Sequence, residues 1–306
     1  MTNTNFLPEE YRTRKNRKLK AVVLTLAIGI SSLGLIQKNF QINSDGEVKS
    51  RVLAADETKN SGMAEIIFGK GYGDPGHIDK VTQKQVELIT TRSAFFAALG
   101  VVQKHEEAIR KEAKAKNIPE EAALGVAFLE NGGSETAVSS AGAAGIFQLM
   151  PQTMIAMGYS PVERNDPEKS IKAGLKYLKQ NYDHFGDLGL AVWSYHAGEG
   201  NVCKAVKIHA AANGVGLPSC FENPKSTRNY ISENNLTINA LLSNSAVQKQ
   251  LTSRLSDESD GYPYKVMASS HLFELSKRLS KEEFARRILM LNAKAITLRD
   301  FFAAGG

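Results

Sequence analysis

The sequence predicts a mainly α protein, and two observations carry that expectation. Successive segments place apolar residues at the 3.6-residue spacing of a helix face, while no segment alternates strongly with the two-residue period of a half-buried strand. The punctuation agrees: Pro, Asp and Ser stand where the apolar stripes begin, and Gly stands where they end. A small irregular β element has room only between residues 132 and 148. At 306 residues the chain is long enough for one or two domains with a real core.

Residues 1–20 form a basic n-region, and Ala21 to Ile36 (AVVLTLAIGISSLGLI) follow as an uncharged, mostly apolar run. That order is the signature of an export signal, and it predicts a cleaved signal peptide or a retained membrane anchor. Ser32-Leu33-Gly34 and Val52-Leu53-Ala54 are the cleavage sites on offer. If the run is retained, the positive-inside rule leaves the N-terminus cytoplasmic and the body outside. The basic cluster also explains the overall charge of +6: residues 1–36 hold six basic and two acidic side chains, leaving 32 basic against 30 acidic elsewhere. A nearly neutral body gives no argument for nucleic acid as a partner.

Residues 37–61 are polar without a sustained period and read as a tether, and Gly69 to Gly76 (GKGYGDPG) reads as a loop. Val81 to Val102 carries a helical stripe of Val86, Ile89, Phe95, Leu99 and Val102, so 37–104 is assigned as tether and helical lead-in. A charged helix is expected over His105–Lys116, and Pro119 is placed in the first turn of the next. Pro151 starts a short helix that Gly158 ends. Asp166-Pro167-Glu168 starts another, whose Ile171, Gly174, Leu175, Leu178 and Tyr182 face the core until Gly186. Leu188 to Tyr195 carries the only tryptophan, Trp193. Farther on, Asp257 to Tyr264 reads as a polar loop, and Ser280 to Glu283 as a capping box before a helix with Phe284, Ile288, Leu289 and Leu291.

The most informative stretch is Ala122 to Pro151 (AALGVAFLENGGSETAVSSAGAAGIFQLMP). Ala123, Val126, Ala127 and Glu130 share one helix face, and Asn131, Gly132 and Gly133 then stop the helix with residues suited to a left-handed cap. Burial and the negative end of the helix dipole both disfavour the charged form of Glu130. A carboxyl kept protonated near neutral pH can act as a general acid on a glycosidic bond. On these residues alone, a carboxylate snorkelling at a helix end is the simpler reading.

Four blocks change that balance. They are Glu130-Asn131 with Ser139 to Pro151 (SSAGAAGIFQLMP), Asp166 to Leu178, Ala191 to Gly200 (AVWSYHAGEG), and Ser226 to Ile231 (STRNYI). In order and spacing they resemble the lytic transglycosylases of the soluble type, relatives of goose-type lysozymes. The resemblance implies a lysozyme-like catalytic domain over 105–234; residues 235–306 fall outside it and read as a helical extension that packs on the domain or docks an envelope or secretion-machinery partner. It also implies that Glu130 is the catalytic acid and later base, and that Ser139, Phe147, Gln148, Tyr195 and His196 contact substrate. The substrate would be the glycan strands of peptidoglycan, cleaved without water or cofactor to leave 1,6-anhydro-N-acetylmuramic acid ends, in the periplasm or at the inner membrane. Gly142 and Gly145 would let a sugar chain approach the main chain.

The chain departs from the family pattern at several places. Asn131 replaces a Ser, His196 an Asn, Phe147 a Met and Ser226 a Glu. Two rivals therefore stay open. One is a lysozyme-type hydrolase, for which Glu135 or Glu199 would have to supply the second carboxylate. The other is an inactive peptidoglycan-binding or scaffold protein. Cys203 and Cys220 are the only cysteines; 17 positions apart in an exported chain, they suggest a disulfide, with two free thiols as the alternative. No metal site is expected, since His196 and His209 give no zinc-type spacing with Cys203.

Overall fold

The computed structural model describes residues 84–255 and 261–294; the n-region, the apolar run 21–36, the polar stretch 37–61 and the Gly69–Gly76 loop lie outside them. Two helices, α1 (Lys84–Thr90) and α2 (Phe95–Ala115), meet at an angle of 95°. The spacing predicts one helix over Val81–Val102, but the chain breaks there. Thr90 and Thr91 turn their hydroxyls onto the carbonyls of Glu87 and Leu88, a local bond that competes with helix continuation. Thr90 also donates to Asn292 at 2.9 Å, which fixes the corner. The stripe itself is inside: Val86, Ile89, Phe95, Leu99 and Val102 are all buried. Helix α2 then runs through residue 105 without interruption. Among the described residues no single helix is long and apolar enough to cross a membrane.

Helix α3 (Glu120–Glu130) is the centre of the fold. Pro119 caps it rather than entering its first turn. Every residue from Ala122 to Phe128 is buried, so α3 is apolar all round instead of on one face. It needs neighbours on opposite sides, and α2 supplies one. The other comes from the far end of the chain. Helices α4 (Pro151–Ala156), α5 (Pro167–Phe185), α6 (Leu188–Ala197) and α7 (Glu199–Ala212) follow the expected punctuation, with Asp166 and Asp187 capping α5 and α6 through bonds from the Lys169 and Leu190 amides. After them come α8 (Pro224–Glu233), α9 (Ile238–Ser243), α10 (Ser245–Gln250), α11 (Tyr262–Arg278) and α12 (Lys281–Asn292). Helix α11 is the second wall of α3.

Two positions show how closely α11 and α3 approach. A Cβ on Gly125 would stand 2.4 Å from the Val266 carbonyl oxygen, so only glycine lets the backbones cross. Gly125→Ala is expected to force the helices apart and lower stability by about 2 kcal/mol, read as a shift in the urea midpoint; an unchanged midpoint would contradict this packing. Charges close the same seam from outside. Arg110 on α2 reaches Glu106 at 2.8 Å, Glu120 on α3 at 2.9 Å and Glu274 on α11 at 2.6 Å.

The segment after residue 235 shares the core of what precedes it. Leu236, Ile238, Leu241 and Val247 pack with Trp193, Val202 and Val206. Tyr262 and Tyr264 are not loop residues: they open α11, with Pro263 in its first turn, and both are buried. Ser280 caps α12 by accepting from the Glu283 amide, and Phe284, Ile288 and Leu291 face inward while Leu289 faces out.

Candidate active site

The C-terminal end of α3 delivers Glu130, and Asn131 fixes that end. Its buried amide nitrogen donates to the carbonyls of Ala127 at 2.8 Å and Ala98 on α2 at 3.2 Å, and its oxygen accepts from the Gly133 amide at 2.8 Å. Asn131 is thus a helix terminator and a bolt to α2 at once, because an amide side chain both donates and accepts. Asn131→Ala is expected to lose about 2 kcal/mol of stability, since it strands buried backbone groups, with Asn131→Asp no rescue because a carboxylate cannot donate. Thermal unfolding of the two variants checks this.

Glu130 keeps an opening to solvent, but protein encloses most of its carboxyl. Burial pushes its pKa up to about 7, against the opposing pull of a hydrogen bond from Tyr262 and of the Arg92 charge. Tyr262, at the start of α11, donates to Glu130 Oε1 at 2.6 Å. Its ring lies flat on His196 from the end of α6, with centroids 4.6 Å apart and planes 7° from parallel. Tyr195 belongs to the same cluster. Burial first, and then the Glu130 charge, hold its phenol well above the usual range, and so they do for Tyr262. Tyr195 donates its hydroxyl to the Phe147 carbonyl at 2.8 Å and rests against Tyr177.

The loop between Gly132 and Leu149 forms a small irregular β knot, with isolated bridges from Val138 to Ala144 and from Ala144 to Leu149. Gly145 is essential to it: φ is +83°, and a Cβ there would lie 2.0 Å from the Arg164 carbonyl oxygen. Arg164 in turn donates to the Gly142 carbonyl at 2.6 Å and the Pro161 carbonyl at 2.7 Å, which ties the loop to the 3-10 turn Pro161–Asn165. Gln148, itself at φ +43°, donates to the Ala137 and Gly145 carbonyls. Ser139 is exposed on the loop and accepts from the Ala143 amide.

These positions sort the expected contacts. Tyr195 and His196 gather around Glu130 through Tyr262 and the shared electrostatics. Gln148 and Ser139 shape the loop. Phe147 is a correction: its side chain is fully buried against Gly174, so only its backbone carbonyl faces the cluster. The two alternative carboxylates are engaged elsewhere. Glu135 pairs with Lys104 at 2.6 Å and His105 at 3.0 Å, hydrogen bonds that hold it below the usual carboxylate range, and Glu199 pairs with His184.

Sequence reasoning missed Tyr262 altogether. The sequence places Tyr262 in a polar loop rather than at a helix start, and its contact with a residue 132 positions earlier leaves no local signal. Arg164 was missed in the same way.

The site is thus a helix-end carboxyl inside an α-helical frame, beside a glycine-rich knot. Residues 107–214 match the family described as Transglycosylase SLT domain. It is similar to the transglycosylase of Enterobacteria phage PRD1, 34% identical over 82 residues, which are 27% of this chain and 30% of that one. It is also similar to the membrane-bound lytic murein transglycosylase D of Escherichia coli K12, 25% identical over 248 residues, 74% of this chain and 54% of that one. The chain therefore spans about half or less of the length of these relatives. Among solved structures, the 70 kDa soluble lytic transglycosylase of Escherichia coli aligns with a TM-score of 0.39 at 18% identity, over 72% of this chain and 33% of that one. Tyr262 lies beyond the family match.

Proposed function

We propose that this protein is a peptidoglycan lytic transglycosylase with a lysozyme-like catalytic unit and Glu130 as its acid and base. The observation that carries the reading is an enclosed carboxyl, poised near neutrality and held by a tyrosine, inside the segment that matches the transglycosylase family; Asp187, the other carboxyl there whose pKa burial raises, is engaged in capping α6. Protonated Glu130 gives its proton to the oxygen joining N-acetylmuramic acid to N-acetylglucosamine. The substrate's own acetamido group stabilises the positive charge that develops at C1. Glu130, now a carboxylate, takes the proton of the C6 hydroxyl, whose oxygen closes on C1 and leaves a 1,6-anhydro end.

One carboxylate suffices for that sequence of steps, whereas hydrolysis asks for a second to activate water. The pairing of Glu135 with Lys104 and His105, and of Glu199 with His184, supports the one-carboxylate route. Export belongs to the same reading, because the substrate lies outside the cytoplasm; residues 21–36 would carry the chain there, as signal or anchor. The test is a digest of purified peptidoglycan by the full chain, followed by mass spectrometry of the fragments. Ends lighter by one water support the proposal. Reducing ends would replace it with hydrolysis, and glycan binding without release would replace it with a scaffold.

A further inference from the structure

Four residues away from Glu130 make a cluster that no step above uses. His184, near the end of α5, pairs through Nδ1 with the carboxylate of Glu199 at the start of α7. A carboxylate can only accept, so Nδ1 carries a proton, and in the neutral ring that leaves Nε2 with the lone pair. That nitrogen points at Cys203 Sγ, 3.9 Å away. Cys203 on α7 is bridged to Cys220, with Cα atoms 5.8 Å apart. The imidazole contacts the rings of Phe185 and Phe221, at centroid distances of 5.0 and 5.6 Å. The three donor atoms of His184, Cys203 and Cys220 all lie within 4.8 Å of one another.

We infer that the reduced form of this cluster is a binding site for a zinc-class divalent ion, with Cys203, Cys220 and His184 Nε2 as ligands and Glu199 orienting the imidazole. Tetrahedral zinc holds sulfur at about 2.3 Å and nitrogen at about 2.0 Å, so its ligand atoms sit some 3.5 Å apart. The cluster is within a small side-chain adjustment of that spacing. The carboxylate behind the histidine is the outer partner that metal-bound imidazoles commonly have. A groove of about 710 Å³, lined in part by Cys203, Cys220, Lys204 and Lys207, gives access and leaves room for a fourth ligand. The two lysines favour an anion there, such as chloride or hydroxide.

Oxidation state gates the site. As a disulfide the two sulfurs offer no thiolate. A dithiol reductant supplies two electrons and two protons, becomes a disulfide itself, and leaves two thiols; the ion then displaces both thiol protons as it binds. The sequence hid this site because His184 lies on a different helix from Cys203, and its pairing with Glu199 cannot be read from spacing.

The experiment is a Co²⁺ titration of the full chain, reduced with a phosphine under argon and followed by optical absorption, with circular dichroism recorded alongside. The expected result is a thiolate-to-cobalt charge-transfer band that saturates at one equivalent and is absent from the oxidised chain. His184→Ala should weaken binding at least about 10-fold, and Glu199→Gln by about 10-fold with the helical signal retained. Zn²⁺ should raise the melting temperature of the reduced wild type and not of His184→Ala. No band in the reduced chain, equal binding by the oxidised chain, or binding indifferent to His184→Ala would each overturn the inference. That last outcome includes thiolates capturing cobalt in a chain that reduction has unfolded.

Discussion

Glu130→Gln is expected to abolish release of anhydro-ended fragments, by about 10³-fold or more, because in the proposed mechanism one side chain serves as acid and then as base. The same variant should be more stable than the wild type at alkaline pH. The sign follows from linkage. Folding raises the Glu130 pKa from 4.5 to about 7, so the folded state holds a proton that the unfolded state has already released between those values. The wild type keeps its full stability below pH 4.5 and loses the difference as pH rises to about 7. An upper bound is about 3 kcal/mol, and the open side of the carboxyl reduces it to about 1–2 kcal/mol. Gln does not titrate. Urea unfolding should therefore give similar midpoints at pH 4 and a higher midpoint for Glu130→Gln at pH 8. A lower midpoint at pH 8 would mean that the carboxyl is not enclosed as described.

Tyr262→Phe should have the second largest effect on catalysis, and its signature is in the pH profile. The Tyr262 hydroxyl donates to the carboxylate and so favours the charged form of Glu130. Removing it takes away a hydrogen bond to a charged group, worth about 1.5–3 kcal/mol, and lets burial push the Glu130 pKa above 7. The alkaline limb of kcat/KM should move up by about one pH unit. The peak rate should fall about 10-fold, since the carboxyl loses the contact that fixes its direction. A purely structural tyrosine would change stability and leave the limb in place. The stacking of Tyr262 on His196 makes His196→Asn a useful companion: it restores the family's residue but removes the ring beneath Tyr262.

How the chain divides its labour between local and distant residues explains what could be read in advance. The carboxylate at a helix end, the Asn-Gly-Gly stop, the irregular knot between 132 and 148, and the Asp166 and Ser280 caps are all consequences of neighbours within a few positions. Propensity and capping act at that range, so the sequence carried them. The block pattern pointed to the family whose model matches residues 107–214. The reading of α3 as one-faced was incomplete for an instructive reason. A stripe of apolar residues says that one face is buried, and it cannot say that Gly125 invites a second helix onto the other.

By itself, then, the sequence determined that the protein is mainly helical, that Glu130 ends an apolar helix, and that a transglycosylase-type loop follows it. The tertiary structure alone decided what surrounds that acid. It brought Tyr262 across 132 positions to hold the carboxyl, turned Phe147 into core, and placed His184 beside Cys203. The physical reason is common to all three. Burial, a hydrogen bond from a remote side chain and a shared ligand cluster depend on which surfaces meet, and that is settled by packing across the whole chain rather than by any local pattern.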